Sequence, residues 1–505
     1  MDIAYKNKIR NLILILGAIL LPFVCLRFGT EFIDYFYMKA TGDWMLEHGI
    51  MYKHPFFIDE CTTVIQQWAY CIYISLISKL GKWGVLLSES FFAFLYYLTL
   101  RLFLKEYNIG KARTVVYFYV SIVVSLFYLV KIRPETITII FLFLEIYALE
   151  RFRKTDNWKF LLLLPLTMLL EINFHGTMWP FHYVVILPFI TPFYPDLVKN
   201  ENYSLNQIKR LLPFVLAMTI AMFMNPYGLD MIMYLPNTYL SKAFKYVGIT
   251  EIVPASYMSF EGAILLFIIV VFVIFLIKIK MSSISFYFIL GFWVVSIPSC
   301  RNFMFLPIAM IFLLIEAYRN LNFDFSKIPL DDTDRKYVTF LIAAGILIFT
   351  LPLSTGVYSF VNNTWMQYSD SKVFDILEEN TEKNDKIFSF FEDTSYLEGL
   401  GYTNVYIDSR PEMYMKRINK KDNYLKEFYD VVENKDTFNN GENIKAFIEK
   451  YDFKYYLLKT ASPYMRTMII TLQNNDNYKL IYSDDKYILF ERNGTNNINA
   501  MPQRG

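Results

Sequence analysis

The chain has 505 residues, of which 55% are hydrophobic, 18% aromatic and only 19% charged, a composition too apolar for an ordinary soluble domain. The formal charge is +2, from 49 Lys and Arg against 47 Asp and Glu, which gives no basic footprint for a nucleic-acid partner. Long apolar runs separated by clustered charges predict a polytopic α-helical membrane protein.

At the N-terminus Lys6, Lys8 and Arg10 precede the apolar run Asn11–Phe28. No small-residue cleavage site follows it, so it reads as an uncleaved anchor. Further runs able to cross a bilayer are Val85–Leu104, Thr114–Val130, Thr136–Leu149, Phe160–Ile172 and Trp179–Ile190. They continue with Leu211–Met224, Ala263–Ile277, Ile284–Ile297, Phe303–Ile315 and Val338–Leu353. Several are shorter than the ~20 residues of a full span. Basic clusters at Lys105/Lys111/Arg113, Arg151/Arg153/Lys154/Lys159, Lys199/Lys209/Arg210, Lys278/Lys280 and Arg319/Lys327/Arg335/Lys336 alternate with single runs. Basic loops stay cytoplasmic, which predicts about eleven spans, a cytoplasmic N-terminus and an outer juxtamembrane helix at Val64–Leu80. Whether 64–80 itself crosses stays open.

After Leu353 the chain turns polar. Strand-like runs at Lys386–Phe391, Val405–Ile407, Lys454–Leu458, Tyr478–Tyr482 and Tyr487–Phe490 alternate with helical patterns at Val373–Asn380, Ile444–Tyr451 and Pro463–Gln473. They predict an extracytoplasmic α/β domain over 362–505. The membrane module would cover 1–355, its first outer loop 29–83.

On that topology the polar residues near the apolar runs share one membrane face. They are Asp34 and Lys39, Arg133-Pro134-Glu135, Asn173 with His175-Gly176, Asn225-Pro226-Tyr227-Gly228, Glu251, Arg301-Asn302 and Asp408-Ser409-Arg410. Each alone has a bland reading: an arginine at a helix end snorkels, and Asn-Pro-Tyr-Gly is a turn. Together, a carboxylate and several cations are what a polyprenyl-phosphate sugar requires. A base must take the acceptor's proton, and cations must hold the departing phosphate, a task to which the planar guanidinium is suited. Tyr35–His48 reads as an amphipathic helix closed by Gly49. His48 and His54 lack a constrained spacing, so no metal ligand is assigned. The four cysteines form no metal-ligand pattern, although a Cys61–Cys71 disulfide stays open.

Taken in order, these segments resemble the GT-C glycosyltransferases, polytopic enzymes that use polyprenyl-phosphate sugars and include the protein mannosyltransferase and aminoarabinose transferase families. The match is to a bacterial branch whose first outer loop reads D-x-x-x-x-x-A-x-G-x-W-x-L-x-x-G followed by P-F. Here that is Asp34 through Gly49, then Pro55-Phe56, followed by Arg133–Glu135, Asn173–Gly176, Asn225–Gly228, Arg301-Asn302 and Asp408–Arg410. Each motif is only a few residues long, and the ordered set carries the resemblance.

The resemblance implies that Asp34 is the general base of an inverting transfer from a polyprenyl-phosphate donor to a cell-envelope glycan, lipid or protein. Lys39, Arg133, Glu135, Asn173, His175, Arg301 and Arg410 would bind substrate or phosphate, with Asn225, Glu251 and Asp408 as further candidates. Gln67 stands where relatives carry an acid, which puts a second carboxylate in doubt unless Glu60, Asp59 or Glu135 replaces it. No cofactor is certain, and a divalent cation, Mg or Mn, stays open. The alternatives are a lipid-linked saccharide flippase and a non-catalytic envelope scaffold.

Overall fold

A computed structural model describes residues 3–28, 33–192, 195–240, 258–320, 371–432, 442–462 and 465–493, with isolated positions 254, 256, 358 and 361. Glu251, the expected span Val338–Leu353 and the basic residues Lys327, Arg335 and Lys336 lie outside the described residues. The contacts divide the chain into two units, Met1–Phe32 with Gln66–Leu235 and Ile249–Met366, and Ile33–Ile65 with Pro236–Gly248 and Gln367–Gly505. The segment 33–65, expected as an outer loop of the membrane module, therefore belongs with the C-terminal unit.

In chain order the helices begin with α1 (Ile3–Phe28), α2 (Ile33–His48), α3 (Trp68–Ser78), α4 (Gly81–Lys105) and α5 (Lys111–Val124). Next come α6 (Glu135–Thr155), α7 (Leu163–Phe174), α8 (Trp179–Val184), α9 (Leu187–Ile190) and α10 (Leu205–Met222). α11 (Leu229–Leu240), α12 (Phe260–Lys278), α13 (Ser283–Ser296) and α14 (Leu306–Asn320) follow. All but α2 and the end of α11 build the first unit.

Among the described residues, three helical stretches are long and apolar enough to cross a bilayer: Gly81–Lys105, Phe260–Lys278 and Cys300–Asn320. Four more apolar stretches, Arg10–Cys25, Trp68–Ser78, Gly176–Ile190 and Ser283–Ser296, are shorter. Eleven full spans are therefore not what the helices provide, and local chemistry explains the difference. The run Thr114–Val130 stops at Val124 because Leu126 and Phe127 turn left-handed, at φ 52° and 63°. The run Phe160–Ile172 begins in a 3-10 turn and leaves only twelve residues of α7. Trp179–Ile190 breaks into α8 and α9, the second carrying Pro188 in its first turn. α12 carries a broad exposed apolar face, with Leu266, Phe267, Val270, Ile274 and Ile277 all exposed on it.

Helix ends carry recognisable caps. Ser204 and Gln207 form a reciprocal capping box on α10. Ser259 and Ser282 accept from the backbone N–H groups of Gly262 and Ser285. Asp156 closes α6 in the left-handed conformation, its N–H on the Phe152 carbonyl at 2.8 Å.

The second unit is α/β. Strands β1 (Ile387–Ser389), β2 (Tyr455–Lys459), β3 (Tyr478–Ser483) and β4 (Tyr487–Arg492) form a sheet in the order β1-β2-β4-β3. β1 runs parallel to β2, and the other pairs are antiparallel. The β3–β4 turn is held by Asp484, whose Oδ1 accepts from the N–H groups of Lys486 and Tyr487. Val405, expected within a strand, makes isolated bridges to Ile387 and Phe57. Val405 N–H donates to the Phe56 carbonyl, and Ile58 N–H to that of Val405, both at 2.9 Å. Residues 56–58 thus extend the edge beside β1, which is why 33–65 belongs to this unit. Around the sheet lie α15 (Val373–Asn380), α16 (Phe391–Gly399), α17 (Lys416–Asn419), α18 (Tyr424–Val432), α19 (Glu442–Tyr451) and α20 (Arg466–Gln473). Its core is aromatic, with Phe388, Tyr406, Phe447, Phe453 and Tyr456 buried in mutual ring contact.

Candidate functional site

The expected site residues fall into two sets, one in each unit. In the first, the chain leaves α5 through two consecutive left-handed non-glycine residues, Leu126 and Phe127, a conformation that costs roughly 1–2 kcal/mol per residue. Strain of this kind is kept where the surroundings or the function require it. It re-aims the backbone through a 3-10 turn, Tyr128–Val130, into Lys131-Ile132-Arg133-Pro134 and the start of α6. Lys131 is buried with its ammonium 4.4 Å from the Tyr128 ring centre. Arg133 is half-buried. Glu135 opens α6 fully buried, where the helix dipole favours a carboxylate.

A second 3-10 turn, Cys300–Phe305, packs against the first. Ser299 caps it by accepting from the Arg301 N–H at 3.2 Å. Arg301 Nη2 reaches Glu135 Oε1 at 3.5 Å, with the arginine side chain 37% exposed and the glutamate closed off. The charges of Arg133 and Arg301 also act on the His175 ring, and that of Glu135 on Glu89, a buried carboxylate of α4. The Arg-Pro-Glu, Arg-Asn and Asn-Phe-His-Gly motifs therefore meet.

Gly176 is glycine for a packing reason. A Cβ there would strike the Met231 sulfur, and the Gly176 N–H donates to the Gln66 carbonyl at 2.7 Å. Asn173 accepts from Trp68 Nε1 at 3.0 Å and donates to the carbonyls of Leu169 and Met224. It is a junction of α3, α7 and α10. Asn225 shapes its own turn, accepting from the Tyr227 N–H at 2.9 Å. Both asparagines line a shallow, mostly apolar pocket of about 600 Å³ with Trp68, Leu170, Phe174 and Pro226. Gln67 is buried just before α3.

In the second unit Asp34 lies half-buried in the first turn of α2. Lys39, expected to hold phosphate or orient a carboxylate, pairs instead with Asp43 one turn on, at 2.6 Å. Glu60 pairs with Lys53, while Asp59 takes Lys421 and Tyr424.

Arg410, also expected to bind phosphate, is 5% exposed and fully engaged inside the unit. Its Nε donates to Asp408 Oδ2 at 2.9 Å and its Nη2 to the same oxygen, to Glu398 Oε2 at 3.3 Å and to His54 Nε2 at 3.4 Å. Nη1 donates to Thr41 Oγ1 at 3.1 Å, and the Tyr37 ring centre lies 4.6 Å from Cζ. Arg410 is thus a positioning residue. It ties α2, which carries Asp34, to the Asp-Ser-Arg segment.

The protonation pattern follows from these partners. The Asp408 N–H donates to the Tyr414 hydroxyl at 3.2 Å, so that hydroxyl donates onward to His54 Nε2 at 3.1 Å. His54 is then neutral, as burial also demands: burial holds its pKa below the ordinary 6.5. Burial would raise the Asp408 carboxyl, but the Arg410 charge and the hydrogen bonds from Arg410 hold it far below the usual range. Burial first, then the Asp408 charge, pushes Glu398 well above its ordinary 4.5. One guanidinium therefore balances one carboxylate, and Glu398 keeps its proton.

These shifts make a pH prediction. A buried neutral His54 withholds stability as pH falls below 6.5, because the unfolded imidazole takes up the proton first. A protonated Glu398 contributes fully below 4.5 and loses that contribution as pH rises toward its folded pKa. Glu398→Gln needs no proton to meet Arg410. Its melting temperature should gain on wild type as pH goes from about 5 to about 9, and a pH-independent difference would refute the assignment.

His54, Glu398 and Asp408 are also the three side chains whose ligand atoms lie within 4.8 Å of one another. A divalent cation does not fit there, because Arg410 Nη2 already stands within hydrogen-bond reach of all three.

Comparison with family models finds no match, and comparison with curated proteins finds none either.

Sequence reasoning missed Lys131, Glu398, Tyr414 and a buried network on α6, α7 and α8. In that network Glu145 Oε1 meets Thr167 at 2.5 Å and His182 Nδ1 at 2.7 Å. His182 Nε2 lies 3.7 Å from Glu171 Oε2. The Thr138 hydroxyl bridges Glu171 Oε1 at 2.6 Å and His175 Nδ1 at 2.8 Å. The signal was present, since Glu145 and Glu171 interrupt or border apolar runs.

Proposed function

We propose that the chain is an integral-membrane glycosyltransferase that moves a monosaccharide from a polyprenyl-phosphate donor to a cell-envelope glycan, lipid or protein. The observation that carries this reading is the strained turn 126–134. It gathers Lys131 and Arg133 beside the Arg301–Glu135 pair at the ends of apolar helices. A partly exposed arginine paired loosely to a buried carboxylate is suited to exchange that partner for a phosphate oxygen. Arg133 and Arg301 take the phosphate and His175 lies within reach of their charge. The resemblance assigns Asp34, in the first turn of α2, as the base. The N-terminus would lie in the cytoplasm and the 362–505 domain on the outer face of a bacterial plasma membrane.

Arg301 is the residue to test. Arg301→Lys should raise the donor KM about 10- to 100-fold, the worth of a charge-assisted hydrogen-bond pair, with the fold intact. Glu135→Gln, which frees the guanidinium, should change it little. An unchanged KM in Arg301→Lys would remove the phosphate role.

A specific observation favours a second reading. The Glu145–His182–Glu171 network lies within the helix bundle, where transporters of lipid-linked saccharides keep their ionisable groups. Movement of an intact donor across a vesicle membrane would select the flippase.

A further inference from the structure

Six buried polar side chains on three adjoining elements form two hydrogen-bonded groups, Thr167–Glu145–His182 and Glu171–Thr138–His175, with His182 Nε2 3.7 Å from Glu171 Oε2 between them. Thr138 and Glu145 stand two turns apart on α6, Thr167 and Glu171 one turn apart on α7, His182 is on α8, and His175 follows the end of α7. None is more than 1% exposed. Two oxygens, Glu145 Oε2 and Glu171 Oε2, are enclosed without a hydrogen-bond partner among the described residues, as is His182 Nε2.

The charge count is the informative part. Two carboxylates and one imidazolium leave a net charge of −1 among these three groups. An unbalanced charge enclosed with bare carboxylate oxygens is the costly state of such a cluster. One more proton removes it. The ionisable groups acting on the three are one another and His175, beyond which stand Arg133 and Arg301. Glu145 Oε1 lies within hydrogen-bond distance of both the Thr167 hydroxyl and His182 Nδ1. Glu171, bridged by the Thr138 hydroxyl to His175, is the carboxyl from which a proton can reach that ring.

We propose that Glu145, His182 and Glu171 store a proton inside the bundle and pass it through Thr138 to His175, which delivers it to the departing lipid phosphate. This rests on the transfer reading above. The step balances as one proton and no electrons. The sugar C1–O bond to phosphate breaks as the bond to the acceptor oxygen forms, and the acceptor's proton leaves through Asp34 to solvent. The phosphate oxygen takes the proton from His175 Nε2. Nδ1 regains one from the Thr138 hydroxyl and that hydroxyl regains one from Glu171. His182 then passes its Nε2 proton to Glu171, and solvent later restores it.

The test is infrared spectroscopy of the full chain in lipid nanodiscs across a pH series, which needs no substrate, joined to lipid-phosphate release. Wild type should show more protonated-carboxyl carbonyl stretch at neutral pH than Glu398 alone supplies, as read by difference against Glu398→Gln, and Glu171→Gln should remove that excess. Thr138→Val, which keeps shape and breaks the bridge, should slow release about 10-fold or more and alter its pH profile, and Thr138→Ser should restore both. A band that neither Glu171→Gln nor Glu145→Gln changes, or no band in folded wild type, overturns the stored proton. Full-rate release by Thr138→Val with an unchanged pH profile overturns the delivery step. A titrating band that Glu171→Gln or Glu145→Gln changes, in a protein that releases no lipid phosphate, supports the stored proton and sinks only the transfer reading.

Discussion

Asp34→Asn is expected to lower kcat for sugar transfer about 100- to 10,000-fold, the usual worth of a positioned general base, with little change in donor KM. The variant should stay folded for a local reason. Asp34 lies half-buried in the first turn of α2, and asparagine is also accepted at helix starts. The loss of favourable interaction with the helix dipole is about 0.3–1 kcal/mol. The helix is anchored elsewhere, since Phe36 stacks edge-on against Tyr396 at 4.7 Å and Tyr37 and Thr41 meet Arg410. Steady-state kinetics with circular dichroism checks both parts. Equal kcat in a folded variant would remove Asp34 from the chemistry and leave the non-catalytic scaffold as the alternative.

Arg410→Ala should have the largest effect on stability. The substitution leaves Asp408 ionised and enclosed, with Glu398 beside it and the His54 and Thr41 contacts empty. Breaking a buried pair from one side costs about 3–5 kcal/mol, because the remaining charge is uncompensated. The double variant Arg410→Met with Asp408→Asn should recover a large part of this, since no unpaired charge remains. Denaturant titration reads the stability. Trypsin cleavage at Lys53 reads the release of the segment that carries α2. Activity should fall with it although Arg410 touches no substrate. A single variant as stable as wild type would mean that the buried ion pair is not what holds 33–65 in place.

The sequence was most legible where periodicity is strong. Val373–Asn380 is helical over the expected residues, and β1, β2, β3 and β4 fall within or beside the expected runs. It was least legible where local conformation overrides composition. Nothing in Leu126-Phe127 announces two left-handed residues, yet they end α5 and set Lys131 and Arg133. Helix breaks at Pro188 and in the 3-10 turn before α7 shortened runs that hydropathy alone counted as spans. Pairing across long sequence separations was hidden too. Arg301 with Glu135 and Arg410 with Thr41 join residues 166 and 369 positions apart. Thus the Arg-Pro-Glu and Arg-Asn motifs were found as neighbours in order and turned out to be neighbours in space. Arg410, expected from the Asp-Ser-Arg motif to bind phosphate, is instead engaged inside its unit with Asp408, Glu398, His54 and Thr41. Burial decides which of these an arginine is, and burial is not written in a three-residue motif.

The proposed transfer requires that the bond between a sugar and a lipid phosphate is broken. The direct measurement incubates the purified chain, in nanodiscs, with a panel of polyprenyl-phosphate hexoses and an envelope glycan extract, and follows free polyprenyl phosphate. One donor should yield free lipid phosphate in step with sugar on an acceptor, with inverted anomeric configuration. Donor that is bound or carried across the bilayer but recovered intact would contradict it.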